Sequence, residues 1–279
     1  MIINDAQVHI WAPETPERPW SQHGKTHAHR AVPLGKDELL REMDAAGVRR
    51  AVLVPPSFEG DRNDLVLEAA RLHPDRFGIM GRVSVEHPEA RNVLRNWKEQ
   101  PGMLGVRMTF HKEPQRSWLL EGKIDWFWEA AERYEIPVMV FAPGVVPKIA
   151  EVAARHPKLR LVMDHLALPL HVRDAALKEA IAPVLTLARY PNVAVKASAL
   201  PKYVTEPYPF RSLHPYIERV IQAFGRQRVF WGSDFTGLQC TYRQAVTLFS
   251  EELAFLSDAD KEWIMGRGIA TWLDWKSAL

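Results

Sequence analysis

Cysteine is almost absent from this sequence, since Cys240 is the only one among 279 residues. A single thiol forms no intramolecular disulfide, and no cysteine cluster is available to hold zinc or an iron–sulfur centre. No run of about 18 apolar residues occurs, and the N-terminal residues MIINDAQVHIW show no basic segment followed by an apolar one. We therefore expect a cytoplasmic protein without a membrane span or a secretion signal.

An excess of charge of one sign is also missing. The 36 Lys and Arg residues stand against 34 Asp and Glu residues, which leaves a formal net charge of +2. The basic residues are spread among acids rather than gathered in one stripe, so nucleic acid is not an expected partner. Hydrophobic residues make up 47% and charged residues 25%, which is ordinary for a globular domain and argues against disorder or a coiled coil.

Short apolar runs alternate eight times with segments of helical periodicity. The predicted strands cover residues 2–10, 51–55, 77–84, 103–109, 137–142, 159–164, 192–198 and 228–233. The predicted helices cover residues 36–46, 61–73, 88–99, 122–134, 146–155, 174–189, 211–225 and 241–255. Eight apolar strands, each followed by a helix, favour a closed parallel barrel over an open sheet. We predict one α/β domain over residues 1–279, a (β/α)8 TIM barrel with an extra C-terminal helix over 258–274.

Motifs of two common enzyme classes are missing. Neither Gly-x-Gly-x-x-Gly nor Gly-x-x-x-x-Gly-Lys-[Ser/Thr] follows a predicted strand, and no Gly-x-Ser-x-Gly occurs. The two longest irregular stretches, residues 12–35 and 199–213, follow the first and seventh strands. A barrel places these loops on its substrate-binding face, so we expect them to border a site.

Polar side chains end six of the eight predicted strands, and the C-terminal strand ends of such a barrel meet at one site. They are Asp5, Gln7 and His9; Arg82 and Ser84; Arg107 and Thr109; Asp164 and His165; Lys196 and Ser198; Ser233 and Asp234. An aspartate beside imidazole and guanidinium groups can take a proton from water while cations stabilise the oxyanion. We therefore favour Asp234 as a general base, with a helix cap as its alternative.

The other side chains also have structural interpretations. Arg107 and Arg82 are suited to a substrate carboxylate, but either would serve equally in a salt bridge inside the barrel. Lys196 has the same two interpretations, with the oxyanion or a carboxylate of the substrate as its functional partner. Gln7 either contacts the substrate or fills the barrel floor. Tyr203 either donates a hydrogen bond to the substrate or packs its proline-rich loop.

Four motifs resemble those of the amidohydrolase superfamily, in this order along the chain: Asp5-Ala6-Gln7-Val8-His9-Ile10-Trp11, Met163-Asp164-His165-Leu166, Val195-Lys196-Ala197-Ser198 and Trp231-Gly232-Ser233-Asp234. They are most similar to its branch of sugar-lactone and 2-pyrone-4,6-dicarboxylate lactonases. The resemblance implies an amidohydrolase-type barrel in which Asp234 activates water for attack on an ester or lactone carbonyl. It also implies that His165 polarises that carbonyl and that Arg107 binds a substrate carboxylate.

Two positions depart from the pattern of this superfamily. Gln7-x-His9 replaces a His-x-His pair, which in a strand places two imidazoles on one face, ready to chelate a metal. Leu168 stands where the family often has Lys or Arg, so one cationic anchor is missing. We expect no cofactor, because a neutral amide is a poor zinc ligand, and leave open a single zinc or manganese ion on His9, His165 and Asp234.

A second His-x-His sequence, His27-Ala28-His29, has His23 close by. It lies in a loop, where nothing fixes both side chains on one face, so we interpret these residues as surface histidines. The loop can still fold over the barrel mouth and bring one of them, or Trp20, to the substrate.

The sequence thus predicts a hydrolase that opens a lactone or related cyclic ester of a carboxylated small molecule, in aromatic or sugar-acid catabolism. The predicted catalytic residues are Asp234, His165 and His9, and the predicted substrate-binding residues are Arg107, Arg82, Lys196, Gln7 and Tyr203. The alternatives are a metal-dependent decarboxylase of an aromatic acid and a barrel that binds a small acid without turnover. The expected partner is the small-molecule substrate, and a homo-oligomer stays open.

Overall fold

The computed structural model describes residues 1–21, 28–87 and 89–276. Its strands are β1 (Asn4–Val8), β2 (Arg50–Leu53), β3 (Phe77–Gly81), β4 (Met103–Thr109), β5 (Val138–Phe141), β6 (Leu161–Met163), β7 (Val193–Ser198) and β8 (Val229–Gly232). They pair in parallel and in chain order. Beyond β8, the Asp234 N–H donates to the Gln7 carbonyl of β1 at 2.8 Å, which brings the last strand against the first. The eight predicted strands and the (β/α)8 barrel are confirmed.

Helices follow the strands and bury their apolar faces against the outside of the barrel. They are α1 (Lys36–Ala46), α2 (Asp64–Leu72), α3 (Ala90–Arg95), α4 (Gln115–Leu120), α5 (Asp125–Arg133), α6 (Val146–Arg155), α7 (Leu177–Ala180), α8 (Ala182–Leu185), α9 (His214–Phe224), α10 (Tyr242–Thr247), α11 (Asp258–Glu262) and α12 (Gly268–Trp272). The bounds of α1 and α6 match their predictions. Gly47 ends α1 with a φ of 78°, a left-handed C-terminal cap that glycine adopts at no steric cost. Within the described ranges, every helix is too short or too polar to span a bilayer.

The structure corrects one helical prediction and adds one helix. The single helix predicted over 174–189 is broken into short pieces that include α7 and α8. Pro183 lies in the first turn of α8, where its missing N–H is tolerated, whereas inside one long helix it would remove a hydrogen bond and clash with the preceding turn. The structure also contains α4, which the sequence analysis did not predict.

The C-terminal helix packs against one end of the barrel interior. Residues 258–272 run from α11 through a π-helical turn into α12, after a capping box formed by Ser257 and Asp260. Ile269, Leu273 and Trp275 lie in one apolar cluster with interior side chains of the strands: Ala6, Val52, Met80, Met139, Val162, Ala194 and Phe230. Each fully buried aliphatic or aromatic side chain contributes roughly 1.5–3 kcal/mol. The predicted extra helix is therefore confirmed as part of the core.

An irregularity in β1 determines which of its side chains face the interior. The pairing register shifts between Asp5 and Val8. Ala6 belongs to the interior cluster and Val8 to the outer one, although the two-residue period of a regular strand would place both on one face. This bulge turns Gln7 inward in addition to Ala6, and His9 follows on the same side.

Candidate active site

A pocket opens at the C-terminal ends of the strands, the face on which this barrel binds substrates. Its empty space is about 750 Å³, counting the part open to solvent. Six of the eight predicted site residues line it: Asp234, His165, His9, Arg107, Arg82 and Tyr203. The other two, Gln7 and Lys196, are fully buried and belong to the barrel interior.

Asp234 enters the pocket from a turn that follows β8. Its φ of 51° lies in the left-handed region, which few residues other than Gly, Asn and Asp adopt readily. The side chain makes no capping hydrogen bond to the short helical turn Phe235–Gly237, and α10 has its own capping box at Thr241. Asp234 therefore does not act as a helix cap through its side chain, and its carboxylate faces the pocket.

The two carboxylate oxygens of Asp234 have different surroundings. Oδ2 accepts a hydrogen bond from Lys202 Nζ at 2.7 Å. Oδ1 is buried without a hydrogen-bond partner in the described part of the chain, 3.4 Å from His9 Nε2 and 4.0 Å from His29 Nδ1. Burial opposes ionisation, but Lys202 and the imidazoles of His29, His9 and His165 hold the pKa of Asp234 well below its ordinary value. The carboxylate is thus ionised at neutral pH.

The groups around the two ring nitrogens of His9 determine its protonation. Nδ1 lies 2.6 Å from the Val54 carbonyl oxygen, and since a carbonyl only accepts, Nδ1 carries the proton. Burial lowers the pKa of His9 to about 3, so the ring is neutral and Nε2 accepts the Gln7 amide N–H at 3.1 Å. Neither nitrogen has an N–H directed into the pocket. The carbonyl-polarising role predicted for His9 therefore does not fit this arrangement.

Gln7 and Lys196 form a layer beneath the pocket. Lys196 Nζ donates to Gln7 Oε1, which fixes the amide so that its nitrogen faces His9. The sequence analysis predicted substrate contacts for both residues. In the structure each is fully buried, and its polar groups are bonded to other interior side chains. Gln7 fills the barrel floor, as its alternative interpretation described.

Asp164 lies between two cations inside the barrel. Its Oδ2 is 2.6 Å from Arg107 Nε, and its Oδ1 is 2.5 Å from Lys196 Nζ. Burial opposes ionisation of Asp164, but Arg107 and Lys196 hold its pKa below the ordinary value. Burial lowers the pKa of Lys196 to about 8. Both cations thus form salt bridges inside the barrel, as their alternative interpretation stated. The Arg107 guanidinium also lines the pocket.

Arg82 is a buried cation on the pocket wall with a different environment. Its Nε donates to the Pro55 carbonyl at 2.7 Å and its Nη1 to Thr109 Oγ1 at 3.2 Å. No carboxylate of the described residues lies within ion-pair distance of this guanidinium, and burial lowers its pKa to about 9. The carboxylates of Asp61 and Asp164 act on this charge from beyond ion-pair distance. A guanidinium has five N–H donors, so Arg82 retains donors for an anion in the pocket.

His165 reaches the pocket from an unusual backbone segment. His165, Leu166 and Ala167 follow β6 with φ values of 50°, 54° and 54°, which ends the strand earlier than predicted. The imidazole Nδ1 lies 2.8 Å from Ser198 Oγ, and the ring packs edge-on against Phe141 with 5.5 Å between ring centroids. Burial lowers the pKa of His165 to about 4, so this imidazole is also neutral at pH 7.

Tyr203 lies on the pocket wall, as predicted. Its hydroxyl donates to the Leu168 carbonyl at 3.4 Å, and burial raises the pKa of Tyr203 above its ordinary value. Its side chain therefore packs the loop after β7 and lines the pocket at the same time. Tyr208, from the same loop, donates instead to Thr247 and Glu252, at 2.9 Å and 3.1 Å.

Sequence reasoning missed Lys202 and undervalued His29. Lys202 lies in the loop after β7, which we expected to border the site. That expectation could have identified Lys202 as a candidate residue. His29 lines the pocket, with Nδ1 2.8 Å from Thr236 Oγ1, rather than lying on the surface as expected. His23 and His27 lie outside the described residues. Trp20 packs on Phe58, with 4.8 Å between ring centroids.

Asp5 ties β1 to the segment that carries Asp234. Its carboxylate accepts the backbone N–H groups of Gln7 at 2.9 Å and Ser233 at 2.8 Å, and the Tyr242 hydroxyl at 2.7 Å. Burial raises the pKa of Asp5 to about 6, although these hydrogen bonds oppose the rise. Because Ser233 precedes Asp234, this contact fixes the base of the turn that aims the Asp234 side chain.

The donors of the pocket do not fit a metal ion. A catalytic zinc has three protein ligands and an open position. No group of three or more His, Cys, Asp and Glu side chains among the described residues is arranged to hold one. The lone pair of His9 Nε2, which a metal would need, accepts the Gln7 amide. The Lys196 ammonium lies behind that amide and fixes its direction.

Known proteins match this chain over nearly its whole length. A family model described as Amidohydrolase matches residues 4–273. The L-fucono-1,5-lactonase of Burkholderia ambifaria is 25% identical over 237 residues, which cover 83% of this chain and 79% of that protein. The chain therefore belongs to the amidohydrolase family, which confirms the resemblance of its four motifs.

Solved structures of low identity share the fold. An amidohydrolase from Burkholderia multivorans with bound zinc superposes with a TM-score of 0.82 at 20% identity, covering 98% of this chain and 99% of that one. A probable 2-pyrone-4,6-dicarboxylic acid hydrolase from Acinetobacter baumannii, with citric acid bound, gives a TM-score of 0.76 at 19% identity, covering 99% and 100%. At these identities the superpositions establish the common barrel.

Proposed function

We propose that this amidohydrolase-family enzyme hydrolyses a lactone, or a related cyclic ester, of a small carboxylated molecule from aromatic or sugar-acid catabolism. The observation that carries the proposal is the ionised Asp234, whose Oδ1 is buried in the pocket without a hydrogen-bond partner among the described residues. A carboxylate in this state is suited to take a proton from water. One of the curated relatives, the L-fucono-1,5-lactonase of Burkholderia ambifaria, is named for the hydrolysis of a lactone, which supports the reaction type.

In the proposed reaction, Asp234 is the general base and His165 the electrophile. Water attacks the lactone carbonyl carbon as its proton passes to Oδ1 of Asp234. Ser198 Oγ lies 2.8 Å from His165 Nδ1, and we assign the hydroxyl as the donor of this contact. The neutral ring then carries its proton on Nε2 and donates it to the developing oxyanion. His9, which has no N–H for this task, lines the pocket 3.4 Å from Asp234 and keeps its ring orientation through Val54 and Gln7.

The charges of the pocket favour an anionic substrate. Arg82 has no carboxylate within ion-pair distance in the described part of the chain, whereas Asp164 already compensates Arg107 in part. We assign the main contact with the substrate carboxylate to Arg82, with Arg107 in support. Tyr203 lines the same pocket with its apolar ring. Because the donor set does not fit a metal ion, the proposed reaction uses none.

The test is hydrolysis of a panel of lactones by the purified chain and by its Asp234→Asn variant. The panel contains 2-pyrone-4,6-dicarboxylate as a carboxylated lactone and sugar-acid 1,5-lactones as uncharged ones, and acid release is followed with a pH indicator. We expect turnover of a carboxylated lactone and a loss of about 10²–10⁴-fold in kcat for Asp234→Asn, the usual worth of a general base. Asp125→Asn, which changes an exposed carboxylate of α5, serves as the matched control.

Other outcomes support the alternatives. Release of carbon dioxide from aromatic acids, lost with chelators and restored by zinc or manganese, would support the decarboxylase. Thermal stabilisation by small acids without turnover across the panel would support a binding barrel. Full lactonase activity in Asp234→Asn would reject the assigned base.

A further inference from the structure

The carboxylate of Asp234 is held asymmetrically. Lys202 Nζ donates to Oδ2 at 2.7 Å, with the lysine side chain 21% exposed at the pocket wall. Oδ1 has no hydrogen-bond partner among the described residues and faces His9 Nε2 and His29 Nδ1. The ammonium beside Oδ2 opposes the approach of a further proton to that oxygen, so Oδ1 is the more favourable oxygen to accept one.

Two features of the chain bring Lys202 to this position. The loop after β7 turns sharply at Ala199, with a φ of 58°, and the Lys202 backbone N–H donates to the Ala199 carbonyl at 3.0 Å. The lysine side chain then crosses Gly237, in the turn after Asp234. A Cβ at residue 237 would overlap the Lys202 ammonium and lie 3.0 Å from His29 Nδ1. A side chain at residue 237 would therefore displace the Lys202 ammonium from the position in which it contacts Asp234.

We propose, building on the lactone hydrolysis proposed above, that Lys202 is a positioning residue that holds Oδ2 of Asp234 and so assigns Oδ1 as the oxygen that takes the proton. In the first step an O–H bond of water breaks, and its proton moves to Oδ1. A bond forms between the water oxygen and the carbonyl carbon, and an electron pair moves to the carbonyl oxygen. In the second step the ring C–O bond breaks, and the proton on Oδ1 passes to the leaving alkoxide. One water is consumed, and one hydroxy acid is formed.

An ammonium group suits this task for two reasons. It donates only, so it cannot compete for the proton of the water, and it restricts rotation of the carboxylate. Its charge also helps to hold the pKa of Asp234 low, together with the His29, His9 and His165 imidazoles that face the same carboxylate. The base consequently stays ionised in mildly acidic solution. Removal of the ammonium should therefore raise the pKa of the carboxyl, because it removes the nearest opposite charge.

The experiment disrupts the contact from both sides. Lys202→Met removes the ammonium, Lys202→Arg keeps a cation, and Gly237→Ala displaces the lysine while leaving it in the chain. Lys112→Met, a lysine of the neighbouring pocket, removes the same charge as the matched control. The pH dependence of kcat/KM is measured on a lactone that the wild type hydrolyses, and the Asp234 carboxyl is titrated by carbon NMR in each full-length protein.

We expect the acid limb of kcat/KM and the NMR titration of Asp234 to move up by roughly 1–3 pH units in Lys202→Met and in Gly237→Ala. Lys202→Arg and Lys112→Met should keep the wild-type titration. The main loss should be in kcat, with KM for an uncharged lactone unchanged. An unmoved titration in both Lys202→Met and Gly237→Ala, even with lower activity, would overturn the positioning role.

The two proposals fail in different ways. The NMR titration needs no substrate, so it tests the contact of Lys202 with Asp234 whether or not the chain hydrolyses lactones. Lactone hydrolysis lost in Asp234→Asn, combined with an unmoved titration in the Lys202 and Gly237 variants, would retain the proposed function and reject this inference.

Discussion

Arg107 Nε lies 2.6 Å from Oδ2 of Asp164, whereas no carboxylate of the described residues lies within ion-pair distance of Arg82. Both guanidinium groups line the same pocket. In a low-dielectric interior, an uncompensated cation attracts a substrate anion far more strongly than a paired one. The two arginines, which the sequence presents as equivalent, therefore differ in function.

Arg82→Gln should raise KM for a carboxylated lactone by about 10–100-fold, because hydrogen bonds to a charged group contribute roughly 1.5–3 kcal/mol. We expect kcat to change little and an uncharged lactone to be unaffected. Steady-state kinetics on a matched pair of charged and uncharged lactones measure the effect. Arg62→Gln, an exposed arginine that donates to the Glu17 carbonyl, is the control. An equal rise in KM for both lactones would contradict a carboxylate contact.

Arg107→Met should destabilise the fold by about 3–5 kcal/mol, because it removes one partner of a buried ion pair and leaves Asp164 with Lys196 alone. Urea unfolding followed by circular dichroism measures the change. Arg243→Met, which breaks an exposed pair with Glu251, should cost less than about 1 kcal/mol. Similar losses of unfolding free energy in the two variants would show that the interior ion pair stabilises the fold no more than an exposed one.

Chelation should leave lactonase activity intact. Dialysis against EDTA removes a loosely held ion, and added zinc or manganese should then produce no gain in kcat, because the described residues provide no three-ligand site. Metal analysis of the protein before and after dialysis accompanies the assay. Activity that falls with the metal content and returns when it is restored would refute metal-independent hydrolysis.

The unfolding free energy should fall as the pH decreases from 6.5 towards 4. Burial lowers the pKa of His165 to about 4, whereas the unfolded chain titrates near 6.5, so the unfolded state binds more protons between these values. The stabilisation is complete above 6.5 and is lost as the pH falls through the window. At 1.36 kcal/mol per unit, His165 contributes roughly 3 kcal/mol.

His165→Gln isolates this contribution, because Asp5 and His9 titrate in both proteins. Between pH 6.5 and 4, the wild type should lose up to roughly 3 kcal/mol more unfolding free energy than the variant. His87→Gln, an exposed histidine, should keep the wild-type pH dependence. Denaturant titrations at a series of pH values provide the measurement. Parallel curves for wild type and His165→Gln would contradict a buried neutral His165.

The strands and two of the helices could be predicted from the sequence. The bounds of α1 and α6 follow from helical periodicity, and all eight strands follow from their apolar runs, because burial against a barrel imposes these patterns on every residue of the element. The break between α7 and α8 was not predicted, even though Pro183 is a local signal. The register shift in β1 was also not predicted, since a bulge depends on the register of the neighbouring strand rather than on the residues of its own strand.

The sequence by itself determined the barrel and the set of polar residues at its C-terminal strand ends, because hydrophobic periodicity is local and a barrel gathers those ends on one face. Only the tertiary structure decided which of them remain available to a substrate. Asp164 forms ion pairs with Arg107 and Lys196. The Gln7 amide donates to His9 Nε2, and Lys202 donates to one oxygen of Asp234. Such pairings depend on distances between residues far apart in the chain, and in a buried site these distances determine which charges stay uncompensated.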